Sequence, residues 1–181
     1  VTNSNIAVGE ILEVLSATKT AVRNTYGQSD TVTYIVSIVN SGTTPITGIS
    51  VTDNLGEYTF GTTTLVPLTY IDGTVKYYVN GVLQPSAVVT AGPPLVVSGI
   101  TVPAGGSVTV VYEAAVNEFA PLGTTSVINN TAIVAGTGIT PITAEEEITV
   151  ESTPVLTITK SVSPVPVTEN GTLTYTFLIQ N

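Results

Sequence analysis

Between residues 30 and 40 the chain reads DTVTYIVSIVN, and its side chains alternate without a break. Val32, Tyr34, Val36 and Ile38 fall in one phase, Thr31, Thr33, Ile35 and Ser37 in the other. A period of two built from β-branched and aromatic residues predicts a half-buried β-strand. Residues 107–117 repeat the character, with Val108, Val110, Tyr112, Ala114 and Val116 set against Thr109, Val111, Glu113 and Ala115. These two strands are expected to be central. Further strands are predicted at 10–20, 46–52, 58–63, 65–71, 75–79, 82–84, 87–90, 95–100, 126–135 and 139–150.

Turn chemistry separates them. Residues 24–29 (NTYGQS), Asn40-Ser41-Gly42 and Asp53-Asn54-Leu55-Gly56 have the Asx and Gly residues that bond or relax their own backbone. Asp72-Gly73 and Asn80-Gly81 are the dipeptides of two-residue hairpin turns. No segment carries the period of an amphipathic helix. Short strands at this spacing predict an all-β protein, an antiparallel immunoglobulin-like β-sandwich.

The alternating stripe returns. Offsetting the chain by 141 residues lays 13–40 on 154–181 without a gap, and nine of those 28 positions are identical, Lys19 and Tyr34 falling on Lys160 and Tyr175. One module is therefore expected at 13–152, after an extended arm at 1–12, with 153–181 as the first two strands of a second, incomplete module.

Composition narrows the classes of function. Only 9% of residues are charged and 43% are hydrophobic, yet no run nears the roughly 20 apolar residues of a membrane-spanning helix, so membrane insertion is not expected. Thirteen acids against four bases give a net charge of −9, which argues against nucleic acid as a partner. There is no Cys and no His, which removes disulfides, the usual metal ligands and the parts of a catalytic triad. No enzyme and no cofactor are expected. The chain begins Val1-Thr2-Asn3 and contains no Met, which reads as a processed form or a fragment and suggests an extracellular protein.

Taken together, LSATKT and LTITKS, the segment TVTYIVSIVNSGTTPITGISVTDNL, and the later VPAGGSVTVVYEAAV and SVINNTAIV resemble a surface repeat of bacteria and archaea, the one numbered eleven among domains of unknown function. The likeness runs over nearly the whole chain, with a longer middle at 58–99. It implies immunoglobulin-like modules of secreted or wall-attached proteins in structural or adhesive roles, and no enzyme.

Candidate chemistry is sparse. Asp30, Asp53 and Glu57 are the acids that turn carbonyls could join in a calcium site, although Asx capping accounts for Asp30 and Asp53 and no dedicated calcium-loop spacing is present. Alternation sends the middle residue of Glu145-Glu146-Glu147 to the opposite face from its neighbours. An internal isopeptide bond would use Lys19, in phase with Leu15 and Ala17, and Asn129 or Asn130 as acceptor. It would also need a buried acid such as Glu113, which alternation turns outward, so Lys19 reads instead as a side chain snorkelling over the sandwich edge. Asn40 lies several residue pairs from Lys19. Asn129 and Asn170 open glycosylation triplets.

The incomplete module presents an apolar stripe of Leu156, Ile158, Leu173, Tyr175, Phe177 and Ile179. Two strands alone cannot bury it. The expected function is a structural subunit of a secreted cell-surface filament, joined head to tail to identical copies by β-strand complementation through this segment, the arm, or both. The alternatives are a fragment of a multi-module adhesin or surface-layer protein with an unidentified host or cell-surface ligand, and a carbohydrate-binding module, which eight Tyr and no Trp disfavour.

Overall fold

The computed structural model describes residues 14–151, 157–163, 166 and 168–180. The chain divides into two compact units, Val1–Glu151 and Ser152–Asn181. In chain order the first unit contains β1 (Leu15–Ala21), β2 (Thr25–Tyr26), β3 (Thr31–Asn40), β4 (Ile46–Asp53), β5 (Tyr58–Phe60), β6 (Thr63–Leu65), β7 (Leu68–Tyr70) and β8 (Lys76–Val79). It continues with β9 (Val82–Leu83), β10 (Val88–Thr90), β11 (Leu95–Val102), β12 (Ser107–Val116), β13 (Val127–Gly136) and β14 (Ile139–Val150).

One sheet runs β1-β3-β12-β8-β9, with β7 also on β12. The other runs β10-β11-β4-β13-β14-β2. The two expected central strands are central, paired with Tyr34 opposite Tyr112 and Val36 opposite Val110. Their in-phase residues and those of β4, β11 and β13 bury fully between the sheets, among them Val36, Ile38, Ile49, Val110 and Ile128. The fold is therefore the expected all-β antiparallel sandwich of immunoglobulin type. Pairing within it is antiparallel except where β2 lies parallel to β14.

Three local expectations are corrected. The segment 24–29 is not only a turn, because Thr25 and Tyr26 add to the edge of β14. The expected strand 65–71 is two: Pro67 has no N–H to give a ladder, so β6 ends before it and pairs β5, and β7 starts after it and pairs β12. Asp72-Gly73 closes no hairpin. β7 and β8 both lie along β12, at Ala114–Val116 and Val108–Val111, and the turn is an interruption of a single sheet edge. Asn80-Gly81, by contrast, joins β8 to β9 with φ of 49° and 79°, the paired positive values of a type I′ turn.

The turn after β4 is the tightest point in the core. Leu55 and Gly56 have φ of 55° and 76°, and a Cβ on Gly56 would stand 2.6 Å from the Ile128 side chain and 3.0 Å from Pro67. Gly56→Ala combines positive φ with overpacking and is expected to cost about 3 kcal/mol. A urea titration checks it by the fall in midpoint at unchanged slope.

Candidate functional site

The same turn builds the polar centre of the sandwich. Asp53 is in core phase with Ile49 and Val51, so β4 delivers a carboxylate into the apolar interior. One carboxylate oxygen, Oδ1, caps the turn by accepting the Leu55 N–H at 2.9 Å. Asn54 ties the turn to β13: its N–H donates to the Thr131 carbonyl at 3.0 Å, and its Oδ1 accepts the Thr131 N–H at 3.0 Å. The Asp53 carboxylate is thus fixed relative to Asn130, the residue before Thr131.

The second oxygen, Oδ2, faces the other sheet. It accepts hydrogen bonds from Lys19 Nζ on β1 and from the Tyr112 hydroxyl on β12, both very short. The Asn130 carboxamide donates from Nδ2 to the Tyr112 hydroxyl at 3.2 Å. The rings of Tyr34 and Tyr112 stack with centroids 5.6 Å apart, and Nζ lies 4.9 Å from the Tyr34 centroid and 5.9 Å from that of Tyr112. The Lys19 side chain has no exposed surface. Two buried polar atoms, the Tyr34 hydroxyl and Asn130 Oδ1, are left without a hydrogen-bond partner.

Burial lowers Lys19 from its usual 10.5 to about 8, outweighing the attraction of Asp53 and the weaker one of Glu146. Burial likewise raises Tyr112 and Tyr34, and the neighbouring Asp53 charge adds to both shifts. The cluster therefore contains an amine of lowered basicity, a carboxylate in hydrogen-bond contact with it, and a neutral carboxamide, all removed from water.

This corrects the sequence reading at several residues. Lys19 does not snorkel over the sandwich edge; it is sealed inside. Asn129 is exposed, so of the two adjacent acceptor candidates only Asn130 enters the core. The buried acid is Asp53, which caps its turn as expected but also faces the core, whereas Glu113 stands half-exposed on β12. Asn40 pairs with Leu15 while Lys19 pairs with Val36, which keeps Asn40 four residues away along the strand. The calcium candidates do not converge. Asp30 binds Arg23 at 2.9 Å and caps the Gly27 N–H, Asp53 is committed to Lys19, and Glu57 is exposed. Among the described residues no three acids gather as a metal site would require. Glu146 does turn inward from its exposed neighbours, opposite Asn130. Asn129 sits on β13 and Asn170 in a turn with φ of 58°, both exposed.

The second unit is a hairpin of β15 (Thr157–Ser163) and β16 (Thr174–Gln180). Tyr175, Phe177 and Ile179 are 52%, 59% and 61% exposed, while Tyr34, Val36 and Ile38, their counterparts one repeat earlier, are 0% exposed. Ile158 is also exposed and Leu173 partly so; Leu156 and the arm at 1–12 lie outside the described residues. Lys160 Nζ lies 4.5 Å from the Tyr175 ring centroid, so the hairpin repeats the Lys–Tyr half of the buried cluster.

No protein-family model matches the chain, and no curated protein does. Solved structures match its fold. The chain is similar to the full-length major pilin SpaD of Corynebacterium diphtheriae at 16% identity and a TM-score of 0.55, over 81% of this chain and 36% of that one. It is also similar to a form of the major pilin subunit BcpA of Bacillus cereus (11%, 0.53, 90% and 52%) and to the pilus backbone RrgB of Streptococcus pneumoniae (14%, 0.52, 67% and 31%). The chain thus spans a third to a half of these pilins. It has a pilin-like β-sandwich fold.

Two substitutions test the cluster. Asp53→Ala strands the buried Lys19 and is expected to cost about 3–5 kcal/mol, read from the shift of the denaturation midpoint. Tyr34→Phe removes a hydroxyl that has no partner, so stability should hold or rise by up to about 1 kcal/mol in the same measurement.

Proposed function

We propose that the chain is a structural subunit of a secreted cell-surface filament, joining identical copies head to tail by β-strand complementation. The observation that carries this reading is the apolar stripe of the hairpin. Tyr175, Phe177 and Ile179 repeat positions that the first unit buries completely, and on the hairpin they are more than half exposed. A sheet face of that composition is stabilised by another copy's apolar surface. Edge strand β10 offers one, since Val88 on it is exposed. The pilin-like fold supports a structural role over catalysis, and a surface location follows from the same reading.

A second reading is favoured by the in-register repeat. The chain would be one link of a multi-module adhesin or surface-layer protein of the repeat class its sequence resembles, with the hairpin covered by its own following module.

The full chain and the double variant Phe177→Asp/Ile179→Asp distinguish them by sedimentation velocity and negative-stain microscopy across a concentration series. The filament reading expects concentration-dependent linear assemblies from the full chain and monomers from the variant, with Val88→Asp on the acceptor edge weakening assembly. A full chain that stays monomeric at every concentration, or a variant that assembles equally well, would sink it. Monomers throughout would leave the multi-module reading standing.

A further inference from the structure

We propose that the Lys19–Asp53–Asn130 cluster is a self-modification site, at which Lys19 Nζ and Asn130 Cγ join in an intramolecular isopeptide bond that ties β1 of one sheet to β13 of the other. The inference is independent of the filament reading. It rests on the chain of contacts from Lys19 Nζ through Asp53 Oδ2 and the Tyr112 hydroxyl to Asn130 Nδ2. It rests equally on Asn130 Oδ1, a buried carbonyl oxygen with no donor and one of two such unpartnered side-chain atoms among the described residues.

The reaction balances with the groups present. Lys19 gives a proton to the Asp53 carboxylate, and the neutral amine attacks Asn130 Cγ. Negative charge moves onto Oδ1. Asp53 then passes its proton to Nδ2, the Cγ–Nδ2 bond breaks as the carbonyl re-forms, and the departing ammonia takes the second proton from Nζ and leaves as ammonium, restoring the carboxylate. Net, an amine and a primary amide become a secondary amide and ammonia, with no oxidant or cofactor. Asp53 is the proton carrier and the Tyr112 hydroxyl orients the carboxamide. Asn130, not Asp53, is the electrophile, because an ionised carboxylate repels a nucleophile while a neutral carboxamide does not. The lowered basicity of Lys19 makes the neutral amine accessible near neutral pH.

Intact-mass measurement of the full chain reads the outcome directly. The expected mass is lower than the sequence mass by one ammonia, and it returns to the full sequence value in Lys19→Met and Asn130→Ala. Loss of ammonia alone does not suffice, since Asn80-Gly81 and Asn170-Gly171 could form succinimides. Tryptic digestion after denaturation supplies the location. With basic residues only at Lys19, Arg23, Lys76 and Lys160, it should give residues 1–23, uncleaved at Lys19, linked to residues 77–160. An unchanged mass overturns the proposal. So does loss of one water with residues 24–76 linked, which would make Asp53 the acceptor, and so does loss of ammonia without a linked pair.

A pH series gives a readout that does not depend on whether any variant folds. A free Lys19 amine, faced by Asp53, Glu146, Tyr34 and Tyr112, has a folded-state pKa below its unfolded value. Its contribution is full above about 10.5 and is lost as pH falls through about 8. The raised tyrosines act oppositely, since their contribution is lost as pH climbs past 10. Stability of an uncross-linked chain should therefore rise from pH 8 toward 10 and then fall. An amide nitrogen does not titrate, so the wild-type chain should lack that rise and Asn130→Ala, if folded, should show it. A clear rise in the wild type counts against the bond. The variant's melting temperature should be lower by about 10 °C or more, as for the loss of a cross-link closing a loop of this length.

Discussion

The sandwich is organised around a single buried charge pair. Lys19 and Asp53 come from different sheets, and neither has meaningful access to water. Burying each charge alone would cost several kcal/mol, so the two sheets can close only in the register that brings them together. Hydrophobic packing explains why there are two sheets with an apolar gap between them. The charge pair explains why β1 and β4 face each other where they do, and why two tyrosine rings stack around one ammonium group.

Much of this was legible in the sequence. The alternation of 30–40 and 107–117 marked both central strands and set Tyr34 and Tyr112 in their alternating phases, while the register that pairs them comes from the fold. Lys19 was recognisable as a core-phase residue by its spacing from Leu15 and Ala17. Asp53 was harder, because it has two jobs. Its Oδ1 performs the turn capping that Asp-Asn-Leu-Gly advertises, and that sufficient explanation hid the other oxygen. The signal was nevertheless present: Asp53 continues the phase of Ile49 and Val51, and an acid in core phase needs a partner. What no one-dimensional pattern shows is that Asn130 arrives beside it, since that depends on the pairing of β4 with β13.

The errors at the turns share one physical cause. Local dipeptide chemistry states that the chain bends, and it does not state which strand the bend will meet. Asp72-Gly73 bends as expected, yet β12 is long enough to accept strands on both sides of it. Pro67 likewise marks where a ladder must stop, and the two halves then find different partners.

The interrupted edge along β12 has a consequence for crowding at high local concentration. A sheet edge invites stacking because it presents a long row of unpaired N–H and C=O groups. Here the outer row is divided: β7 supplies three residues, β8 four, and β9 only two. No incoming strand can find a long continuous template there. A protein so rich in Val and Thr carries the composition of an aggregating sequence, and this fragmentation limits promiscuous stacking without spending charge on it.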